Sequence, residues 1–198
     1  MSGQMDSSGR AQDATESKPS PTGRALESVG SRQSPGENVS AAYLVAARES
    51  LRSLFFSENG FSCAQVILDV LQETGGTSAG SSTVQAYALG GGIGHTGEGW
   101  CGALVGGAMA IGEFCAGHME DPLAVAPATW QYVQDLHEDF VNEFGCATCQ
   151  ELLGFSIQGE EGLAHYEQTN CKEDICFRNL VFVLERLLPI VQNQSPPF

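Results

Sequence analysis

From residue 41 onward, the apolar side chains recur every three or four residues, which is the period of an amphipathic helix. No segment shows the alternation of apolar and polar residues that a half-buried β-strand requires. We therefore predict an all-α protein, a small helical bundle of about five or six helices. The predicted helices cover residues 41–58, 62–75, 84–89, 101–117, 129–144 and 174–188.

The segments between these helices are rich in glycine and serine. We predict loops over residues 76–83 and at the Gly-rich stretch 90–94, and a brief turn over CQELLG that is followed by a loop to about Asn170. The helix after the Gly-rich loop carries Gly102, Gly106 and Ala110 on one face. Because these side chains are small, a neighbouring helix backbone can approach closely there.

The first 40 residues differ from the rest of the chain. They are rich in serine, glycine, proline and glutamine and show no apolar period, so we predict a disordered tail at 1–40 and one helical cysteine-containing domain at 41–198. The tail lacks the apolar stretch of a secretory signal, and its acidic residues argue against a mitochondrial presequence. We therefore expect a cytoplasmic protein.

The charge balance excludes several classes of function. The chain has 9 Lys and Arg against 24 Asp and Glu, a formal net charge of −15, and no basic residue between Arg52 and Lys172. Such a body repels nucleic acid and offers no arginine clamp for phosphates. No run reaches the roughly 18 apolar residues of a membrane-spanning helix, so we expect no membrane insertion. No nucleotide-binding motif is present, and we expect no nucleotide.

The chain has seven cysteines, and several of them lie at predicted helix starts. In a reducing compartment, grouped cysteines indicate metal or redox chemistry more often than structural disulfides. Cys63, Cys101, Cys149 and Cys176 would each lie in the first turn of a helix, where free N–H groups and the helix dipole stabilise a thiolate. Cys115 lies deep in the small-residue helix and is predicted to be core packing.

These residues resemble a known family. Cys63-Ala64-Gln65, the Gly90–Gly94 loop, the block CGALVG from Cys101 and the block CQELLG from Cys149 occur in order, followed by a late cysteine. This order resembles the redox-active family named for its C_GCAxxG_C_C pattern, which is related to the body of split-Soret cytochrome c. The resemblance implies a small helical domain whose characteristic cysteines are Cys63, Cys101, Cys149 and Cys176. The chain has no C-x-x-C-H motif, so we expect no haem.

Three interpretations of the cysteines remain open. The first is that Cys63, Cys101, Cys149 and Cys176 converge and ligate an iron–sulfur cluster or another metal for electron transfer. The second is that the same residues cycle between dithiol and disulfide without metal. The third is a structural zinc site in an interaction module, for which the spacing C-x2-C and C-x4-C singles out four residues. They are Cys146, Cys149, Cys171 and Cys176.

The first two interpretations make a geometric prediction. At least three of the family-matched cysteines should meet in one pocket, with Cys115 outside it. The glycines predicted to shape this site are Gly91, Gly92, Gly94, Gly102 and Gly106. Cys146 and Cys171 are additional candidate thiols. The sequence does not identify a redox partner, and it leaves open whether the chain forms a homodimer.

Overall fold

The computed structural model describes residues 39–75 and 82–192. Within these ranges it contains seven α-helices, one 3₁₀ helix and one π-helix. The α-helices are α1 (Ala41–Phe55), α2 (Cys63–Gly75), α3 (Gly102–His118), α4 (Pro122–Phe144), α5 (Cys149–Leu153), α6 (Gly159–Gln168) and α7 (Arg178–Gln192). The 3₁₀ helix covers Thr83–Leu89 and the π-helix covers Lys172–Phe177.

The described residues form no strand, and their β-pairing is confined to an isolated antiparallel bridge between Trp100 and Thr148. The all-α prediction is therefore confirmed, and the described helices outnumber the five or six that we expected. No helix in the described part of the chain combines the length and apolar character needed to cross a bilayer.

The centre of the bundle is the contact between α2 and α3. Helix α2 buries most of its length, including Ile67 and Leu71, because the predicted apolar face points into the core. On α3, Gly106 lies directly against α2, where an added Cβ would meet the carbonyl oxygen of Ala64 and a methyl group of Ile67. The small-residue face predicted from the sequence thus sets how closely the two helices pack.

Helices α4 and α7 cover the other faces of α3. An added Cβ at Gly107 would lie 2.7 Å from a methyl carbon of Val183 on α7 and 3.4 Å from one of Leu136 on α4. Helix α7 is the most strongly amphipathic element and buries Leu180, Leu184 and Leu188 on its inner face. The core therefore closes around the glycines of α3.

The structure corrects two parts of the sequence prediction for helices. Residues 159–168 form a helix where we predicted a loop, because α6 buries none of its residues and so has no apolar period to reveal it. Helix α4 begins at Pro122 instead of Thr129, since Asp121 caps it by accepting a hydrogen bond from the N–H of Leu123 at 2.9 Å. The helical period of residues 129–144 predicts that Trp130 faces inward, whereas the side chain is 64% exposed.

A third correction concerns the last helix. We expected it to start at about Asp174, with Cys176 in its first turn, whereas α7 starts at Arg178 and the preceding residues form the π-helix. Cys176 therefore lies inside a helical run and not at an N-terminus. The predicted tail, up to residue 38, and most of the predicted loop at 76–83 lie outside the described residues.

Candidate functional site

The first element of the site is the pair Cys101 and Cys149, which a short antiparallel bridge holds together. The N–H of Cys101 donates to the carbonyl oxygen of Ala147 at 2.7 Å, and the N–H of Cys149 donates to that of Gly99 at 3.1 Å. Cys101 is the N-cap of α3 and Cys149 is the first residue of α5, as the sequence predicted to within one residue. Both side chains are buried.

The thiol of Cys101 donates a hydrogen bond to the sulfur of Cys149. This bond, together with burial, raises the pKa of Cys101 well above the ordinary thiol value. The same bond lowers the pKa of Cys149, and the backbone N–H groups of Gly102 and Gly92 lower it further, although burial opposes them. Cys149 is therefore the thiol of this pair that ionises first, and Cys101 keeps its proton to higher pH.

The Gly-rich loop before α3 supplies one of those N–H donors. Residues 91 to 95 all have positive φ, between 58° and 72°, which only glycine adopts without strain. The run includes Ile93 and His95, for which the left-handed region is unfavourable. At Gly92 an added Cβ would lie 2.7 Å from the carbonyl carbon of Gly97, so a side chain would disrupt the loop that carries the N–H to Cys149.

The second element is the pair Cys63 and Cys176. Cys63 is the first residue of α2, after Ser62, whose hydroxyl accepts a hydrogen bond from the N–H of Gln65 at 3.3 Å. The thiol of Cys63 donates to the sulfur of Cys176, which raises the pKa of Cys63 well above the ordinary value and lowers that of Cys176. Both residues are half-buried. This pair repeats the arrangement of one thiol with a lowered pKa beside one with a raised pKa.

Three residues that the sequence analysis missed contact or influence these sulfurs. The hydroxyl of Tyr166 donates to the sulfur of Cys176 at 3.6 Å. The hydrogen bond from Cys63 has the largest lowering effect on the pKa of Cys176, and the Tyr166 hydroxyl and the charge of Lys172 lower this pKa further. The side-chain amide of Asn179 donates to the sulfur of Cys101 at 3.8 Å. Asn179 is 2% exposed, and a polar residue on an otherwise apolar helix face was the signal that could have revealed it. Tyr166 lies on α6, a segment in which we found no apolar period and predicted a loop.

The two pairs are neighbours in the fold. Negative charge on Cys101 and Cys149 raises the pKa of Cys63, and charge on Cys176 raises that of Cys149. An added Cβ at Gly102 would lie 2.9 Å from the Cβ of Cys63, so the starts of α2 and α3 touch at this point. The structure thus brings Cys63, Cys101, Cys149 and Cys176 into one region of the bundle.

The remaining cysteines have separate surroundings. Cys115 is 0% exposed in the core, where burial raises its pKa. The sulfur of Cys171 accepts a hydrogen bond from the hydroxyl of Thr169 at 3.1 Å, and Cys146 is half-buried beside Phe144. The set singled out for zinc is therefore divided, because Cys149 and Cys176 belong to different pairs.

Metal-ligand geometry is a stricter condition than proximity. In residues 39–75 and 82–192, no three or more His, Cys, Asp or Glu side chains are placed to hold a common metal ion. All seven cysteines lie within these ranges. The described donor set therefore consists of thiol pairs and does not form a ready-made tetrahedral site.

Comparison with known proteins identifies the family of this chain. Residues 61–185 match the model of the family described as "Putative redox-active protein (C_GCAxxG_C_C)", and the matched range contains all seven cysteines. No curated protein and no solved structure matches the chain. Since the family model covers more than half of the sequence, the chain belongs to the C_GCAxxG_C_C family of redox-active proteins.

Proposed function

We propose that this protein is a thiol–disulfide redox protein with two adjacent dithiol couples, Cys63 with Cys176 and Cys101 with Cys149. The observation that carries the proposal is the pairing itself: in each couple, a thiol donates a hydrogen bond to a sulfur whose pKa is lowered. A thiolate is the form that attacks a disulfide, and its paired thiol is placed to resolve the mixed disulfide.

The reaction of each couple balances as two exchanges. Cys149 or Cys176 attacks a partner's disulfide, forms a mixed disulfide and releases one partner thiolate. Cys101 or Cys63 then loses its proton, attacks the mixed disulfide, and releases the second partner thiolate. The protein is left with one internal disulfide, and the partner disulfide has taken up two electrons.

Disulfide mapping tests this proposal. The full chain is equilibrated in glutathione redox buffers, quenched by alkylation and digested for mass spectrometry. We expect linked peptides for Cys63–Cys176 and Cys101–Cys149 only, and loss of the second link alone in Cys149→Ser. The variant Cys115→Ser is the matched control and should keep both links. Thiols that stay free at every potential, or a different pairing, would contradict the proposal.

The metal interpretations made from the sequence are tested on the purified full chain by its colour and by its content of iron, sulfide and zinc. A brown protein containing iron and sulfide, which Cys63→Ser and Cys101→Ser both lose, would favour the iron–sulfur cluster. A colourless protein that keeps zinc in those two variants and loses it in Cys146→Ser would favour the zinc module. Either result would replace the dithiol proposal.

A further inference from the structure

A surface cleft lies directly beside the buried Cys101–Cys149 couple. It has a volume of about 170 Å³ and is formed by the end of α4, the start of α5 and the junction of the π-helix with α7. Cys146 lines it, together with Glu151, Asp174 and Arg178. Helix α4 ends at Phe144, and its C-cap Gly145 has φ +81°, so the chain turns there and leaves the next residue, Cys146, at the cleft.

One side chain separates this cleft from the couple. Asn179 lines the cleft, and its amide donates to the sulfur of Cys101. On the other side, the residue after Cys146 accepts the 2.7 Å hydrogen bond from the N–H of Cys101. Burial, the charge of Glu151 and the charge of Cys101 raise the pKa of Cys146, so the sulfurs of Cys146 and Cys101 lie within electrostatic reach of each other.

The couple itself is poorly accessible to a partner protein. Cys101 is 4% exposed and Cys149 is 8% exposed, whereas Cys146 is half-buried and faces the cleft. Disulfide exchange requires three sulfurs in line, so a buried couple needs a more accessible thiol to meet an external disulfide. Cys146 is the cysteine on the cleft that meets this need.

We infer that Cys146 is a relay thiol, which exchanges with a partner's disulfide in the cleft and passes the oxidation inward to Cys101 and Cys149. This inference rests on the proposed function, and for the Cys101–Cys149 couple it replaces the direct attack of Cys149 on the partner's disulfide with an attack by Cys146. The thiolate of Cys146 attacks the partner disulfide, which forms a mixed disulfide and releases one partner thiolate. Cys101 gives its proton to Cys149 and attacks Cys146, which releases the second partner thiolate.

The last step restores the relay. Cys149 loses the proton to solvent and attacks Cys101, which forms the Cys101–Cys149 disulfide and frees Cys146 as a thiolate. Two electrons have moved from the couple to the partner, and one proton, which came from Cys101, has left the protein. The partner class is a disulfide without strong negative charge, because the carboxylates of Glu151 and Asp174 line the cleft and the charge of Arg178, the basic residue there, is paired with Glu143.

The test uses dithiodipyridine, a neutral aromatic disulfide whose released thiopyridone is measured by absorbance. The reduced full chain carries Cys63→Ser and Cys176→Ser, so that the other couple cannot consume the probe, and it receives less than one equivalent of probe. We expect two thiopyridones per probe in this parent chain, with Cys101 and Cys149 linked. When Cys101→Ser is added, we expect one thiopyridone per probe, with the mixed disulfide held on Cys146 in the peptide map.

The relay is then removed. Cys146→Ser and Cys146→Ala should each form the Cys101–Cys149 link about tenfold more slowly than the wild type, because the couple is buried. Cys171→Ser, a cysteine outside the cleft, is the matched control and should react at the wild-type rate. A helical circular dichroism spectrum identifies folded variants, and two Cys146 substitutions guard against one that misfolds.

Two outcomes separate the inference from the proposed function. If folded Cys146 variants form the Cys101–Cys149 link at the wild-type rate, Cys146 is not a relay thiol, and the proposed Cys101–Cys149 couple is unaffected. If the wild type forms no such link with any oxidant, the proposed function fails, and the relay fails with it.

Discussion

Replacement of Gly106 by alanine should test the packing that brings the cysteine-bearing helices together. The added Cβ would lie 3.0 Å from the carbonyl carbon of Ala64, and closer still to its oxygen and to a methyl group of Ile67. Ordinary contacts at a Cβ are 3.4–4 Å, and the backbone of α2 cannot rotate out of the way. The helices would therefore have to separate.

The magnitude follows from two opposing effects. Overpacking a close-packed contact costs about 1–3 kcal/mol, and we expect the upper part of this range because backbone atoms are involved. Replacing a helical glycine by alanine stabilises the helix by about 0.5–1 kcal/mol, which offsets part of this cost. The expected net loss for Gly106→Ala is about 1–2 kcal/mol in the free energy of unfolding.

Gly112→Ala is the matched control on the same helix. Its Cβ would have one neighbour within 4 Å, a methyl group of Thr129 at 3.9 Å, so the substitution should stabilise the protein by about 0.5–1 kcal/mol. Urea denaturation of both reduced variants, followed by far-ultraviolet circular dichroism, measures the difference. Equal stability of the two variants would refute the argument that Gly106 sets the distance between α2 and α3.

Two further predictions concern the charges on the sulfurs. Tyr166→Phe removes the hydroxyl that donates to Cys176, so the pKa of Cys176 should rise. Alkylation of Cys176 by iodoacetamide at neutral pH should then slow several-fold. An unchanged pH profile of this alkylation would show that the hydroxyl has no such effect. The reduced protein should lose stability as the pH rises above 9.0, the ordinary thiol pKa, because Cys63 and Cys101 then ionise in the unfolded chain while their raised pKa values keep them protonated in the fold. Urea midpoints measured across this range should fall with pH, and the fall should be shallower in a Cys63→Ser and Cys101→Ser double variant.

The helical class and much of the candidate site could be predicted because they depend on local patterns. The apolar period gave the buried face of α2, and small polar residues before cysteines marked the helix starts at Cys63 and Cys149. The capping hydroxyl of Thr148 indeed accepts a hydrogen bond from the N–H of Glu151. Each of these features involves residues no more than a few positions apart, so a single segment specifies it.

Local sequence patterns did not predict the features that depend on tertiary packing. The interior of α6 has no apolar face, so only its position beside the π-helix brings Tyr166 to Cys176. Trp130 fits a helical period, yet its face of α4 is left exposed because the neighbouring face carries Leu136 and Phe140 into the core. The sequence could show that these segments were helical or polar, but not which side the bundle would cover.

The sequence by itself determined that this protein is helical, acidic and supplied with cysteines at helix starts. Only the tertiary structure decided that Cys63 pairs with Cys176 and Cys101 with Cys149, and that Cys146 lies on a cleft beside the second pair. The physical reason is that partners far apart in the chain are chosen by which helices pack together. At the start of α3, that choice depends on glycines whose missing side chains let α2 approach.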